Sequence, residues 1–289
     1  MIYKRPEILA PCGNTVSLKA AIAAGADACY LAGNSFGARA YADNFTEEEI
    51  IHAIKLAHLH NVKIYLTVNT LVKEDELESI YNMLSSLYIS GLDGVLVQDL
   101  GVLRLIRTCF PGISIHASTQ MNVTSKYGAG LMKDLGLDRV VLAREMTLNE
   151  IKSIKESVDI ELEAFVHGAM CFCYSGRCLM SSMSGDRSGN RGRCAQPCRQ
   201  KHGDTYKLSM KDMCTLKYVP QLMEAGIDSF KIEGRMRPAD FISRIVSTYR
   251  RAIDEYIADL TDTLKDVFGE RLEYVGLQGS YLRNEETDN

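Results

Sequence analysis

The chain has 289 residues, of which 46% are hydrophobic and 24% charged, so it can bury a large core and fits a single barrel-sized domain. A formal net charge of -4 excludes a nucleic-acid binder that works by bulk basicity and leaves only local basic patches for such a task. The N-terminal MIYKRPEILAPCGN lacks the apolar core of a signal peptide, and no later run approaches the roughly 18 apolar residues of a membrane span, so a cytoplasmic protein without a membrane partner is expected.

Short β-type runs alternate with amphipathic stretches of helical length, the pattern of parallel βα units. A strand is predicted at Glu7–Pro11 with a helix starting near Ser17, and a second strand at Ala28–Ala32. The helix Thr46–His60 opens on a threonine cap followed by Glu47, Glu48 and Glu49, acids that favour a helix N-terminus. Strands at Lys63–Asn69, Gly94–Gln98, Ile113–Ala117 and Arg139–Ala143 are followed by helices starting near Lys73, Asp99, Met121 and Thr147. The seventh and eighth strands are Ile160–His167 and Asp228–Glu233, with helices from near Cys214 and Ala239. Four phrases, AGADACYLAG, SGLDGVLVQD, LGLDRVVLAR and AGIDSFKIEG, each pass from a glycine C-cap to an aspartate and straight into a strand.

Eight strand–helix units fit a TIM-type (β/α)8 barrel better than an open doubly wound sheet, which stops at about five or six strands. The barrel is expected over residues 1–267, with a short tail at 268–289. The connection after the seventh strand, 168–211, far exceeds the usual βα loop of about 2 to 6 residues, and it reads as a cysteine-rich insertion.

Within that insertion Cys171, Cys178, Cys194 and Cys198 form a C-x6-C-x15-C-x3-C pattern. In a reducing compartment four such thiols point to metal rather than disulfides, and an iron–sulfur cluster, most simply [4Fe-4S], takes four thiolates. Zinc and plain reduced structural cysteines remain the alternatives, although only the last pair approaches the tight knuckle of a zinc ribbon. Cys173 and Cys214 are reserve ligands, whereas Cys29 and Cys109 sit in apolar contexts and are expected in the core.

Active sites of this fold gather at the C-terminal ends of the strands. Those ends supply Cys12, Asn14, Asn34, Arg39, Asn69, Gln98, Asp99, Ser118, Thr119, Gln120, Arg144, Glu145, His167, Glu233 and Arg235. Asn14 and Asp99 read as helix caps. Arg39, Arg144 and Arg235, if they converge, make a site for a carboxylate or phosphate, and Asn69 and Gln120 add polar contacts; salt bridges to Glu145 or Glu233 are the competing use of the arginines. His167 and Glu233 are candidates for handling protons. The insertion also carries Arg177, Arg187, Arg191, Arg193, Arg199 and Lys201 against Asp186 and Asp204, a local excess suited to RNA phosphates or simply to a solvated face.

The segments EAFVHGAMCFCYSGRCLMSS at Glu163–Ser182, NRGRCAQPCR at Asn190–Arg199, LAPCGN near the start and DSFKIEGRMRP at Asp228–Pro238 resemble the signature of the collagenase-like peptidase family U32. The resemblance implies oxygen-independent hydroxylases that carry an iron–sulfur cluster and act on RNA, closest in kind to those that make 5-hydroxyuridine at the tRNA wobble position. Other relatives modify ribosomal RNA cytidine or act in ubiquinone synthesis. It further implies prephenate as co-substrate, whose carboxylates suit the arginine set. The intact four-cysteine spacing looks more like the RNA-modifying branch than the ubiquinone branch. The family name keeps a peptidase as the alternative, although H-E-x-x-H does not occur here. Many relatives continue into a further C-terminal domain, which leaves room for a partner subunit and for a cluster-carrying role within a heteromeric hydroxylase.

Overall fold

A computed structural model describes residues 5–38 and 43–268. Arg39 and the tail from residue 269 onward lie outside the described residues. The expected alternation is present: β1 (Glu7–Pro11), α1 (Thr15–Ala23), β2 (Ala28–Leu31), α2 (Glu47–His58), β3 (Lys63–Val68), α3 (Leu77–Ile89), β4 (Gly94–Val97) and α4 (Leu100–Cys109). The second half runs β5 (Ser114–Ala117), α5 (Lys126–Asp134), β6 (Arg139–Val141), α6 (Leu148–Ser157), β7 (Glu161–Gly168), α7 (Met180–Gly185), β8 (Met213–Cys214), α8 (Val219–Glu224), β9 (Ser229–Ile232) and α9 (Ala239–Phe268).

Local chemistry explains several boundaries. Thr46 and Thr147 cap α2 and α6 in full capping boxes with Glu49 and Glu150, so each helix starts where its polar cap stands. Asn14 and Asp99 are the N-caps of α1 and α4, as expected. The helix expected from Met121 begins later. A 3-10 turn at Thr119–Met121 ends on Asn122 at φ 54, and α5 starts only after its own cap, Ser125.

Strands β1 to β7 pair in order and in parallel, and β9 closes the ring between β7 and β1 through Ala164↔Phe230 and Ile8↔Phe230. The result is the closed, eight-stranded parallel barrel of the TIM type. The sequence reading lacked β8, a two-residue strand that pairs antiparallel with the end of β7 at His167↔Cys214, too short to carry a pattern. Between β7 and β8 runs the cysteine-rich segment, with α7 and two 3-10 turns, Gly189–Arg191 and Pro197–Arg199, as its regular structure. No described helix is long and apolar enough to cross a membrane.

The main core lies between barrel and helices, where Ile8, Leu31, Ile64, Val95, Ile115, Leu162 and Phe230 meet Leu18, Ile54, Leu84, Val102 and Ile106. Inside the barrel a smaller apolar layer of Leu9, Tyr30, Tyr65, Leu96 and Val141 sits on a charged floor. Arg139 donates to Glu7 at 2.6 Å, Glu161 at 2.8 Å and Glu163 at 3.1 Å, Lys231 donates to Glu163 at 2.7 Å, and the Tyr65 hydroxyl donates to Glu7 at 2.8 Å. Burial pushes the Glu7 carboxyl up, but the Arg139 guanidinium and the bonds from Arg139 and Tyr65 outweigh it and hold the group below its ordinary value.

Two cysteine expectations are corrected. Cys109, at the C-terminal end of α4, is exposed rather than in the core, and Cys12 is fully buried beside Cys29 instead of standing at the barrel mouth. The strand carrying Cys12 alternates its side chains, and this one falls on the helix-facing side.

Candidate functional site

At the C-terminal mouth of the barrel a cavity of about 150 Å³ is lined by Asn69, Gln120, Arg144, Glu233, Arg235, Cys171, Cys178 and Cys194. Residues from β3, β5, β6, β9 and the cysteine-rich segment thus meet there, although more than 160 positions separate the first from the last. Asn69 ties three strand ends together: its Oδ1 accepts the Ala38 N–H at 3.1 Å and its Nδ2 donates to Ser118 Oγ at 3.2 Å. Arg144 stacks over the Phe165 ring at 4.1 Å and donates to Ser175 Oγ at 2.9 Å, while Asn122 Nδ2 donates to the Ser175 carbonyl at 2.8 Å. Ser175 is buried, so these bonds dock the cysteine-rich segment on the mouth.

Two glycines permit close approaches that a side chain would block. A Cβ at Gly13 would lie 2.1 Å from the Arg235 carbonyl oxygen. At Gly192, with φ +76, it would lie 2.3 Å from the Gly37 carbonyl oxygen, so only glycine lets the cysteine segment press against the loop after β2.

Of the four expected thiol ligands, Cys171, Cys178 and Cys194 line the cavity, and Cys198 is not part of its lining. Burial, then the neighbouring Cys171 thiol, pushes the Cys198 thiol up. Burial and the adjacent Cys178 and Cys171 do the same for Cys173, which therefore shares this crowd, while Cys214 lies apart on β8. Cys194 Sγ accepts the Ser181 hydroxyl at 3.6 Å and the Gln196 N–H at 3.4 Å. Among the described residues no three His, Cys, Asp or Glu side chains are grouped as ligands of one ion. The donor chemistry still fits a thiolate-bound group, because free thiols gather on one segment at one cavity and N–H and O–H donors face a sulfur.

His167 does not join Glu233. The register of β7 against β9 shifts between Phe165 and His167, so the alternation that would carry His167 inward is broken. Its ring packs 6.0 Å from Phe241 and 5.9 Å from Tyr249, outside the cavity, and burial holds its pKa below the ordinary value. Among the described residues no histidine lines the cavity.

The basic segment divides. Arg191 is committed to Glu76, at 2.8 and 2.5 Å, and Arg199 braces Ser209 Oγ at 2.9 Å and the Met170 carbonyl at 3.0 Å. Lys201 stands 3.7 Å from Asp204, whereas Arg177 and Arg193 are exposed, as are Phe172 and Tyr174. The bonds from Arg191 and from the Lys73 N–H hold Glu76 down to about 2. Because its folded value lies below the unfolded one of 4.5, the Glu76 contribution is complete above pH 4.5 and disappears as pH falls through 2. Protease nicking at 188–193 is therefore expected to stay constant from neutrality to about pH 5 and to rise at neutral pH in Glu76→Gln.

The sequence reading missed Tyr30, Thr67, Phe165, Ser175, Asn190 and Lys231, all on the cavity. Only Lys231 carried a signal, a lone lysine inside the otherwise apolar run SFKI. Thr67 Oγ1, Gln120 Oε1 and Asn190 Oδ1 are buried without hydrogen-bond partners among the described residues, the mark of a pocket that takes a polar ligand.

Comparison with known proteins agrees with this architecture. The chain is 40% identical over 277 residues to tRNA hydroxylation protein P1 of Bacillus subtilis, covering 90% of this chain and 65% of that protein. It is 37% identical to the 23S rRNA 5-hydroxycytidine synthase of Escherichia coli, covering 89% of this chain and 41% of the relative, and 31% identical to a collagenase of Porphyromonas gingivalis, covering 86% and 66%. The chain thus spans under two thirds of the length of the first two. A solved U32 peptidase structure superposes with a TM-score of 0.59 at 15% identity, over 81% of this chain and 95% of the other, which bears on the fold alone. The model of peptidase family U32 matches residues 13–282, nearly the whole sequence, and the chain belongs to that family.

Proposed function

We propose that the chain is an oxygen-independent RNA hydroxylase that acts on the wobble uridine of tRNA with prephenate as co-substrate, and that Cys171, Cys178, Cys194 and Cys198 hold a [4Fe-4S] cluster. The observation that carries this reading is the convergence of Cys171, Cys178 and Cys194 with Arg144, Arg235 and Glu233 on one cavity at the barrel mouth. The names of the Bacillus subtilis and Escherichia coli relatives give it further support. A bound cluster supplies electron-transfer or Lewis-acid chemistry. Arg144 and Arg235 hold the anionic co-substrate, with Arg39 as a third cation, and Asn69 and Gln120 set the polar edge. Glu233 moves the proton, a task in which His167 takes no direct part from its place outside the cavity. Exposed Arg177 and Arg193 meet RNA phosphates, and Phe172 and Tyr174 offer faces on which unpaired bases stack.

The peptidase reading has the names of the collagenase and of an uncharacterized protease from Methanocaldococcus jannaschii in its favour. Against it, thiols committed to a cluster are not free nucleophiles, and no described histidine lines the cavity to activate one. A cluster-carrying subunit of a heteromeric hydroxylase is the third reading.

The test is anaerobic incubation of the iron-loaded protein with unmodified tRNA and prephenate, followed by mass analysis of nucleosides, with gelatin hydrolysis assayed in parallel. Gain of one oxygen atom on uridine is expected. Gelatin cleavage without RNA oxidation sinks the hydroxylase, and oxidation only after a longer relative is added establishes the subunit role.

A further inference from the structure

We propose that Lys231 is the inner anchor of the barrel-mouth cavity and binds the carboxylate of a small organic acid. The inference rests on the reading of this cavity as the site of an anionic co-substrate, but it moves the anchoring charge from the rim arginines to the barrel interior. Lys231 projects from β9 with 3% exposure and lines the cavity. Its ammonium has three N–H donors. One goes to Glu163 Oε1 at 2.7 Å, and among the described residues the other two meet no acceptor. Glu163 is itself shared, since its Oε2 accepts Arg139 at 3.1 Å. A purely structural lysine would spend its donors on the protein, because burying a charged donor without a partner is costly.

The surroundings define the ligand. The Tyr30 ring lies 4.6 Å from Nζ and the Phe165 ring 5.5 Å, so the ammonium is held between aromatic faces that cannot accept a strong hydrogen bond. Thr67 Oγ1, buried and without a partner among the described residues, lines the same space. Within the floor, Arg139 and Lys231 face Glu7, Glu161 and Glu163, and on the cavity lining Lys231, Arg144 and Arg235 stand beside Glu233. An incoming anion therefore finds two N–H donors, a hydroxyl and the Arg144 and Arg235 guanidinium groups, while its apolar body rests on Tyr30, Leu96 and Phe165.

Calorimetric titration of the anaerobic, iron-loaded protein with prephenate and, separately, with malonate tests this. Wild type is expected to bind, Lys231→Met to weaken binding about tenfold or more, and Lys231→Arg to retain more affinity than Lys231→Met, with tRNA affinity unchanged in all. Because Lys231→Met leaves Glu163 with one cation fewer, the pair Lys231→Met/Glu163→Gln is measured too, and a folded double variant should show the same loss. Wild-type affinity in either folded variant, or no uptake of either acid by wild type, overturns the proposal. Binding of malonate but not prephenate, lost in Lys231→Met, upholds the anchor while removing prephenate as co-substrate.

Discussion

Replacing Cys194 with alanine is expected to empty the protein of iron while leaving the barrel folded. Its sulfur lines the cavity and accepts two hydrogen bonds, from Ser181 Oγ at 3.6 Å and from the Gln196 N–H at 3.4 Å, the kind of donors that surround the sulfurs of a bound cluster. The local turn should survive the change, because the Ala195 N–H still donates to Ser181 Oγ at 3.0 Å. Anaerobically purified wild type should carry about four irons and four sulfides per chain with a broad visible absorption, and the variant should lose both along with tRNA hydroxylation. Stoichiometric zinc in the wild type, or no metal under strict anaerobiosis, removes the cluster and with it the proposed reaction.

The second large effect concerns stability. Arg139 is 4% exposed and bonded to three glutamates, so Arg139→Met strands Glu7 and Glu163 without their shared cation. Breaking a buried ion pair from one side costs about 3–5 kcal/mol, which in a chain of this size lowers the unfolding midpoint by about 10 °C. The pH dependence identifies the cause. In the wild type the Glu7 pKa lies below 4.5, so its contribution is complete above pH 4.5 and lost as pH falls through the lowered value. In the variant burial prevails and Glu7 titrates above its ordinary value, so the deficit is largest near neutrality and shrinks as the pH is lowered. A deficit independent of pH would point instead to lost packing of the Arg139 stem against Tyr65, 5.5 Å from the guanidinium.

Much of the architecture was legible in local chemistry. The strand starts at Glu7, Ala28, Lys63, Gly94 and Arg139 coincide with those observed, because buried parallel strands need apolar runs and the glycine-to-aspartate passages mark where each helix ends. The caps Asn14, Thr46, Asp99 and Thr147 were equally visible, since a cap acts within four residues of itself. The barrel rule then placed Asn69, Gln120, Arg144, Glu233 and Arg235 at one mouth.

What the sequence by itself determined is therefore whatever depends on neighbours along the chain: strand and helix order, the barrel they imply, the four-cysteine spacing and the family signature. Only the tertiary structure decided which way His167 turns, because one shift of register outside Phe165 reverses a side chain, and no local pattern announces it. It alone brought Glu7 to Arg139 across 132 positions and divided Glu163 between Arg139 and Lys231. The same holds for Arg191, which reads as an anion contact in its basic run but is taken up by Glu76, 115 positions away. The physical reason is common to all three: a charge or ring is assigned by what surrounds it in space, and closing the barrel sets those surroundings.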